Sequence, residues 1–237
     1  MPIDAARNLR RDRVQPNDIL DRVDAQSVTR RLMELLEIRN RAEQTVELEP
    51  AHAAEIQEYL TLLDLTQNVD IVTMPGGEKL PRTVIAQPGL RYAQAKALIE
   101  SLLLDPAFSD LSITERNRVQ ERILSEIMGR MMEDVVLLET KLAKPKKQVF
   151  VLQFAIGEFD MVVFHPNTAS CEIYEIKHSM EASPEQARHL MDEKKCAETT
   201  VRFGAITGKN VIYRGKTKDV GDIRYVNVEE YLLALGQ

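Results

Sequence analysis

The sequence predicts an α/β (α+β) protein, with a helical N-terminal part followed by a mixed β-sheet core flanked by helices. Three observations carry this expectation. First, apolar residues recur at spacings of three and four from Val119 through Ile123, Leu124, Ile127, Met128, Met131, Met132 and Val135 to Val136, which marks one buried helix face. Second, the apolar period changes to two after Pro145, as it does in strands. Third, Val69–Met74 and Arg82–Ala86 flank the turn residues Pro75-Gly76-Gly77, a hairpin pattern.

Taken in chain order, residues 1–25 are polar and weakly periodic and read as a charged lead-in or linker. Ser27 suits the N-cap of a short helix to about Ile38, with Leu32, Leu35 and Leu36 on one face. Pro50 stands where a first helical turn tolerates it, and Ile56, Tyr59, Leu60 and Leu63 follow at helical spacing. Helices followed by a hairpin suggest a winged-helix-like module over 26–88. The second helix is acidic (Glu55, Glu58, Asp64), which favours a protein-contact or spacer role over DNA binding.

Gln87-Pro88-Gly89 breaks the chain, and 89–237 reads as a second domain. A helix is expected from Leu90 to Leu104, then a loop with Pro106 and Ser109. Ser112 and Glu115 fit a capping box that opens a helix to about Leu142. The methionines of its stripe read as core filler. Strands are expected over 148–156, 158–164 and 171–177. A helix from Ser183-Pro184 to about Glu198, strands over 201–206 and 210–214, and a last helix from Asn227 or Val228 to Leu235 complete the reading.

Bulk properties narrow the function classes. The chain has 237 residues and a net charge of −6, which argues against a surface coated for nucleic acid but leaves room for a local basic face. Lys141, Lys144, Lys146 and Lys147 are either such a face or a solvated helix end. Cys171 and Cys196 have no metal-like spacing, and the four histidines form no zinc pattern. No apolar run approaches the roughly 20 residues of a membrane span. Asp4, Arg7, Arg10, Arg11, Asp12 and Arg13 leave no apolar stretch for a signal peptide. A cytoplasmic protein with no membrane contact is the expectation.

The chemistry concentrates on the strands around the loop 165–170. If that hairpin closes symmetrically, Phe164 faces Cys171 and the same register sets Asp160 opposite Glu175. Opposed side chains on one face have Cβ atoms ~5 Å apart, where like charges repel. Mg²⁺, with oxygen ligands at ~2.1 Å, relieves such a conflict. Lys177 projects from the same face as Glu175. An ammonium there can position or help deprotonate a water, or stabilise charge on a phosphate. Alternation alone leaves a second arrangement open, in which both acids face solvent and Lys177 makes an ordinary surface ion pair.

The runs Glu158-Phe159-Asp160-Met161-Val162-Val163 and Tyr174-Glu175-Ile176-Lys177-His178-Ser179 resemble the D…ExK core of the PD-(D/E)XK nuclease superfamily. The resemblance implies a restriction-endonuclease-like mixed sheet. It also implies a catalytic set of Glu133, Asp160, Glu175 and Lys177, with Asp160, Glu175 and Glu133 on the metal. Glu133, in Gly129-Arg130-Met131-Met132-Glu133-Asp134, matches the acid that often precedes the core on a helix; without the resemblance it is equally a surface glutamate.

The match is closer to the nuclease-like C-terminal region, with its winged-helix-like segment, of bacterial and archaeal AAA-type ATPases. It covers roughly 50–235 and rests on His178-Ser179, Gln186-Ala187-Arg188-His189-Leu190, Tyr213-Arg214-Gly215 and the closing Tyr225–Leu232. His178 and Gln186 are the implied substrate-binding residues. The alternatives are a strand-capping His178 and an exposed Gln186 at a helix start.

An ATPase would need a phosphate-binding loop, G-x-x-x-x-G-K-[ST]. The two look-alikes depart from it: Gly204 to Asn210 has one spacer too few and ends in Asn, and Gly215-Lys216-Thr217 has Asn210 where glycine is required. No bound nucleotide is expected. The chain then reads as a truncated relative or a stand-alone protein without the motor.

The resemblance implies a Mg²⁺- or Mn²⁺-dependent DNA endonuclease. The alternative is a non-catalytic nuclease-like scaffold that binds a protein partner, such as an ATPase. A winged-helix transcriptional regulator ranks below both because of the acidic helix.

Overall fold

The computed structural model of the protein describes residues 50–103 and 111–236. The expected lead-in over 1–25, the helix from Ser27 to Ile38 and the loop with Pro106 and Ser109 lie outside the described residues. In chain order the elements are α1 (Pro50–Leu62), β1 (Thr66–Thr73), β2 (Lys79–Ile85), α2 (Pro88–Leu103), α3 (Ile113–Ala143), β3 (Gln148–Gln153), β4 (Glu158–His165), β5 (Ser170–Lys177), α4 (Glu193–Phe203), β6 (Ala205–Tyr213), β7 (Lys218–Val220), β8 (Ile223–Asn227) and α5 (Val228–Leu235). The fold is mixed α/β, as expected. Among the described residues no helix is long and apolar enough to cross a membrane.

The chain divides into two compact units, whose described residues are 50–59, 87–103 and 111–131 in one, and 60–86 and 132–236 in the other. In the first unit α2 buries Ala95, Ile99 and Leu103, and the first half of α3 buries Val119, Ile123 and Ile127. Each set steps by four, the spacing of one helix face. The capping box is formed: the Ser112 amide donates to Glu115 Oε2 at 2.8 Å, and the Glu115 amide donates to Ser112 Oγ at 3.3 Å.

The second unit is built on an eight-stranded sheet in the order β2-β1-β3-β4-β5-β6-β8-β7. The 75–77 hairpin does not stay with the helices before it. β1 pairs in parallel with β3, Ile71 opposite Val151, so the boundary expected at 88/89 runs through a unit that shares one sheet. The physical reason is burial. Val149, Phe150, Val151 and Leu152 of β3 are all buried, and a strand covered on both faces is stabilised by neighbours at both edges.

Both faces of the sheet are covered. On one, Met132, Val136 and Leu137 of α3 cluster with Val149, Val151, Met161, Val163, Tyr174 and Ile176. On the other, Ala187, Leu190 and Phe203 cluster with Phe150, Leu152, Phe159, Val162, Cys171, Ile173 and Val211. Phe203 anchors α4 there, with ring centroids 5.0 Å from Phe150 and 5.4 Å from Phe164.

Two sequence expectations change in this region. The helix expected from Ser183 to Glu198 is a short 3₁₀ turn, Pro184–Ala187, followed by α4, which the Asp192 carboxylate caps by accepting from the Lys195 amide at 3.1 Å. The strand expected over 201–206 is helical to Phe203. Within α4 the Thr199 hydroxyl donates to the Lys195 carbonyl at 2.7 Å, one helical turn back.

Gly204 then ends α4 at φ +79°, and a Cβ at this position would fall 1.6 Å from the Ala169 carbonyl oxygen. Neither the dihedral nor the space admits a side chain. Gly204→Ala is expected to lower the unfolding free energy by about 2 kcal/mol or more, read from urea denaturation, and an unchanged midpoint would refute the close approach.

Candidate functional site

The hairpin β4–β5 closes in the register read from its loop. Phe164 pairs with Cys171, and the ladder runs back to Met161 opposite Tyr174. There the regular pairing stops. On the other edge of β4, Phe150 pairs with Val162 but Leu152 pairs with Phe159, so Asp160 and Met161 together oppose Val151. This β-bulge bends the strand and re-aims a side chain, a device common beside active sites.

The freed Asp160 carboxylate turns toward β5. Its Oδ2 accepts from the Ile176 amide at 2.7 Å and from Lys177 Nζ at 2.9 Å. Lys177 Nζ also lies 2.6 Å from Glu175 Oε2. One ammonium is therefore shared by two carboxylates. Glu175 is 1 % exposed, and its Oε1 is a buried oxygen with no hydrogen-bond partner.

The electrostatics follow from this geometry. Burial, reinforced by the Asp160 charge, pushes the Glu175 carboxyl up to about 8 against the opposing pull of Lys177. Burial lowers the Lys177 pKa, but Asp160 and Glu175 outweigh it and hold the ammonium above its ordinary value. With both acids ionised the trio is net negative in a dry setting. A second cation would relieve that charge, and a hard divalent ion suits a pair of oxygen ligands. Asp160 and Glu175, with the unpartnered Oε1, fit such an ion.

Glu133 does not extend this pair to three acids. Among the described residues no three His, Cys, Asp or Glu side chains form a group able to hold a metal ion. The second half of α3 packs Met132, Val136 and Leu137 on the face of Tyr174 and Ile176. Glu175 and Lys177 alternate with those residues and leave the opposite face, with Cys171 and Ile173.

The other two expected residues, His178 and Gln186, make contacts outside the trio. His178 Nε2 is 3.1 Å from Arg214 Nη1. A guanidinium only donates, so Nε2 accepts and Nδ1 is left as the donating nitrogen. Burial and Arg214 lower the imidazole pKa. Gln186 has both ends of its amide engaged locally. Its Oε1 accepts from the Ser183 amide at 3.2 Å and its Nε2 donates to the Glu181 carbonyl at 3.0 Å. It shapes the 3₁₀ turn.

Three neighbours have no role assigned from the sequence. Arg214 reaches the site because Lys177 pairs with Tyr213 across parallel β5 and β6, which brings the carboxyl ends of the two strands together. Lys195 and His189 lie over the β3–β4 turn, with Lys195 Nζ 2.6 Å from His189 Nδ1. The adjacent pair Lys194-Lys195 looks like surface, and only the buried residues Ala187, Leu190 and Phe203 around it signal otherwise. The phosphate-loop look-alike Gly208-Lys209 lies inside β6, paired with Glu172 and Ile173.

No family model matches the chain, and no curated protein or solved structure matches it.

The raised Glu175 carboxyl makes a stability prediction for the metal-free protein. Its folded value of about 8 lies above the ordinary 4.5. The contribution is therefore complete below about 4.5 and is lost as pH rises through about 8. Glu175→Gln should melt progressively higher relative to wild type as pH rises from about 5 to about 9. A melting-temperature difference that does not change with pH would refute the shift.

Proposed function

We propose that the chain is a Mg²⁺- or Mn²⁺-dependent nuclease of the PD-(D/E)XK type that hydrolyses phosphodiester bonds in DNA. The observation that carries this reading is the pair of half-buried Asp160 and buried Glu175, which shares one ammonium and leaves a carboxylate oxygen without a partner. The order of residues on two antiparallel strands, with the bulge at Asp160, supports the D…ExK resemblance.

In this reading Asp160 and Glu175 hold the metal. When bound, the metal supplies charge stabilisation at the phosphate and a more acidic water. Lys177 stays cationic, because two carboxylates keep its proton on. Its role is then to orient the water or stabilise developing phosphate charge, rather than to remove a proton. His178 and Arg214 offer donors at the rim for the phosphate backbone.

The second reading is a non-catalytic nuclease-like scaffold that contacts an ATPase or another protein. It draws on the net charge of −6 and on the absence of a third acid in the cluster among the described residues.

Calorimetry with Mg²⁺ and Mn²⁺, paired with cleavage assays on linear, branched and single-stranded DNA, separates the two. Wild type is expected to bind metal and cleave; Asp160→Ala and Glu175→Ala should lose both. Lys177→Met should keep metal binding and lose about a hundredfold or more of the cleavage rate. No metal binding together with no cleavage of any substrate would leave the scaffold reading standing.

A further inference from the structure

The segment that covers the sheet face of Asp160 carries a side-chain pair that the trio does not use. His189 lies beside the β3–β4 turn, where the Phe154 amide donates to the Gly157 carbonyl at 2.9 Å. Gly157 has φ +77°, and a Cβ there would meet His189 Cε1 at 2.7 Å and Lys195 Nζ at 3.0 Å. The turn therefore accepts no side chain, and the imidazole occupies that space three residues before Asp160. Ala187 and Leu190, on either side of His189, are buried in one cluster with Phe159, which fixes the backbone that carries the ring.

Lys195 sets the chemistry of the imidazole. Its side chain is buried, its ammonium lies 5.3 Å from the Phe154 ring centroid, and it is 2.6 Å from His189 Nδ1. An ammonium only donates, so Nδ1 accepts and the ring proton sits on Nε2. Burial, then Lys195, Arg188 and Lys177, hold the imidazole below its ordinary pKa, with Asp160 opposing them. The ring is neutral, with one nitrogen filled and the other carrying hydrogen. Such a ring cannot ligate a metal, because neither nitrogen has a free lone pair. It can donate one hydrogen bond. No hydrogen-bond partner of Nε2 is found among the described residues, and Nε2 is not among the buried unpartnered atoms. The cations around it favour an anionic acceptor.

We infer that His189 donates an Nε2–H hydrogen bond to a phosphate oxygen of the substrate bound at Asp160, Glu175 and Lys177, and that Lys195 is a positioning residue that fixes the donating tautomer. This rests on the phosphodiester reading above and deepens it: the contact is to the backbone, so it is independent of base sequence.

The test combines spectroscopy with kinetics. Nitrogen-15 spectra of histidine-labelled protein, with His189 assigned by the loss of its signals in His189→Gln, report the tautomer. The expected state is Nε2–H, with the Nε2 signal moving when dodecathymidylate is added in Ca²⁺. In cleavage assays His189→Asn should raise KM about tenfold. His189→Gln, which returns an amide N–H near the Nε2 position, should restore KM to near wild type. Lys195→Met should populate the other tautomer and raise KM while leaving metal binding intact.

An Nδ1–H tautomer in wild type, an Nε2 signal indifferent to saturating oligonucleotide, or equal KM for the Gln and Asn variants would overturn the inference. The spectra use wild-type protein, so a variant that does not fold leaves the question decidable. If wild type cleaves no DNA, the nuclease reading fails, and the oligonucleotide titration still decides whether His189 meets a phosphodiester.

Discussion

Lys177 stands between Asp160 and Glu175 at hydrogen-bond distance from both, and the site depends on this shared charge. Bringing two carboxylates together at a dry sheet face is costly, and one ammonium offsets only part of that cost. Glu175 responds by favouring its protonated form, and Lys177 by holding its proton more tightly. The arrangement is tense in the metal-free chain. Added positive charge would relax it, and the same geometry weakens the fold at high pH. Strongly perturbed protonation of this kind is common at functional sites.

The strand pattern of β4 explains how the acids come together at all. A regular pairing would set Asp160 level with Glu175, as two like charges across a ladder. The extra residue opposite Val151 breaks the pairing first. The Asp160 carboxylate then takes the place of a backbone acceptor for the Ile176 amide. Part of its negative charge is satisfied by the main chain, and Glu175 is left as the acid with an oxygen to spare. The two residues look equivalent in sequence and are unequal in the structure.

Local signals were legible in the sequence; long-range pairings were not. The Ser112/Glu115 cap, the α3 stripe, the 164/171 register and the common face of Glu175 and Lys177 all follow from spacing within a few residues. The bulge at Asp160 left no mark, because alternation counts residues and cannot show that one lacks a partner. The turn residues 75–77 mark β1–β2 as a hairpin, but nothing in its alternation says that β1 lies parallel to β3. The strand expected over 201–206 gives way to helix through Phe203, where the side-chain bond of Thr199 to the Lys195 carbonyl and the packing of Phe203 on Phe150 hold the last turn. Lys195 was hidden for another reason. A lysine is read as solvated, and only the tertiary cover supplied by Phe154 and His189 buries it.

The parallel pairing of β1 with β3 also bears on how the protein can be dissected. A fragment beginning near residue 89, where composition suggests a domain start, would strip two strands from the sheet. β3, whose four central residues are buried, would become an open edge with a row of unpaired amides and carbonyls. Such edges recruit strands from other chains, and a flat apolar one promotes aggregation. The insolubility of that fragment would then be a property of the cut and would say nothing about the chemistry of Asp160 and Glu175 on the next two strands.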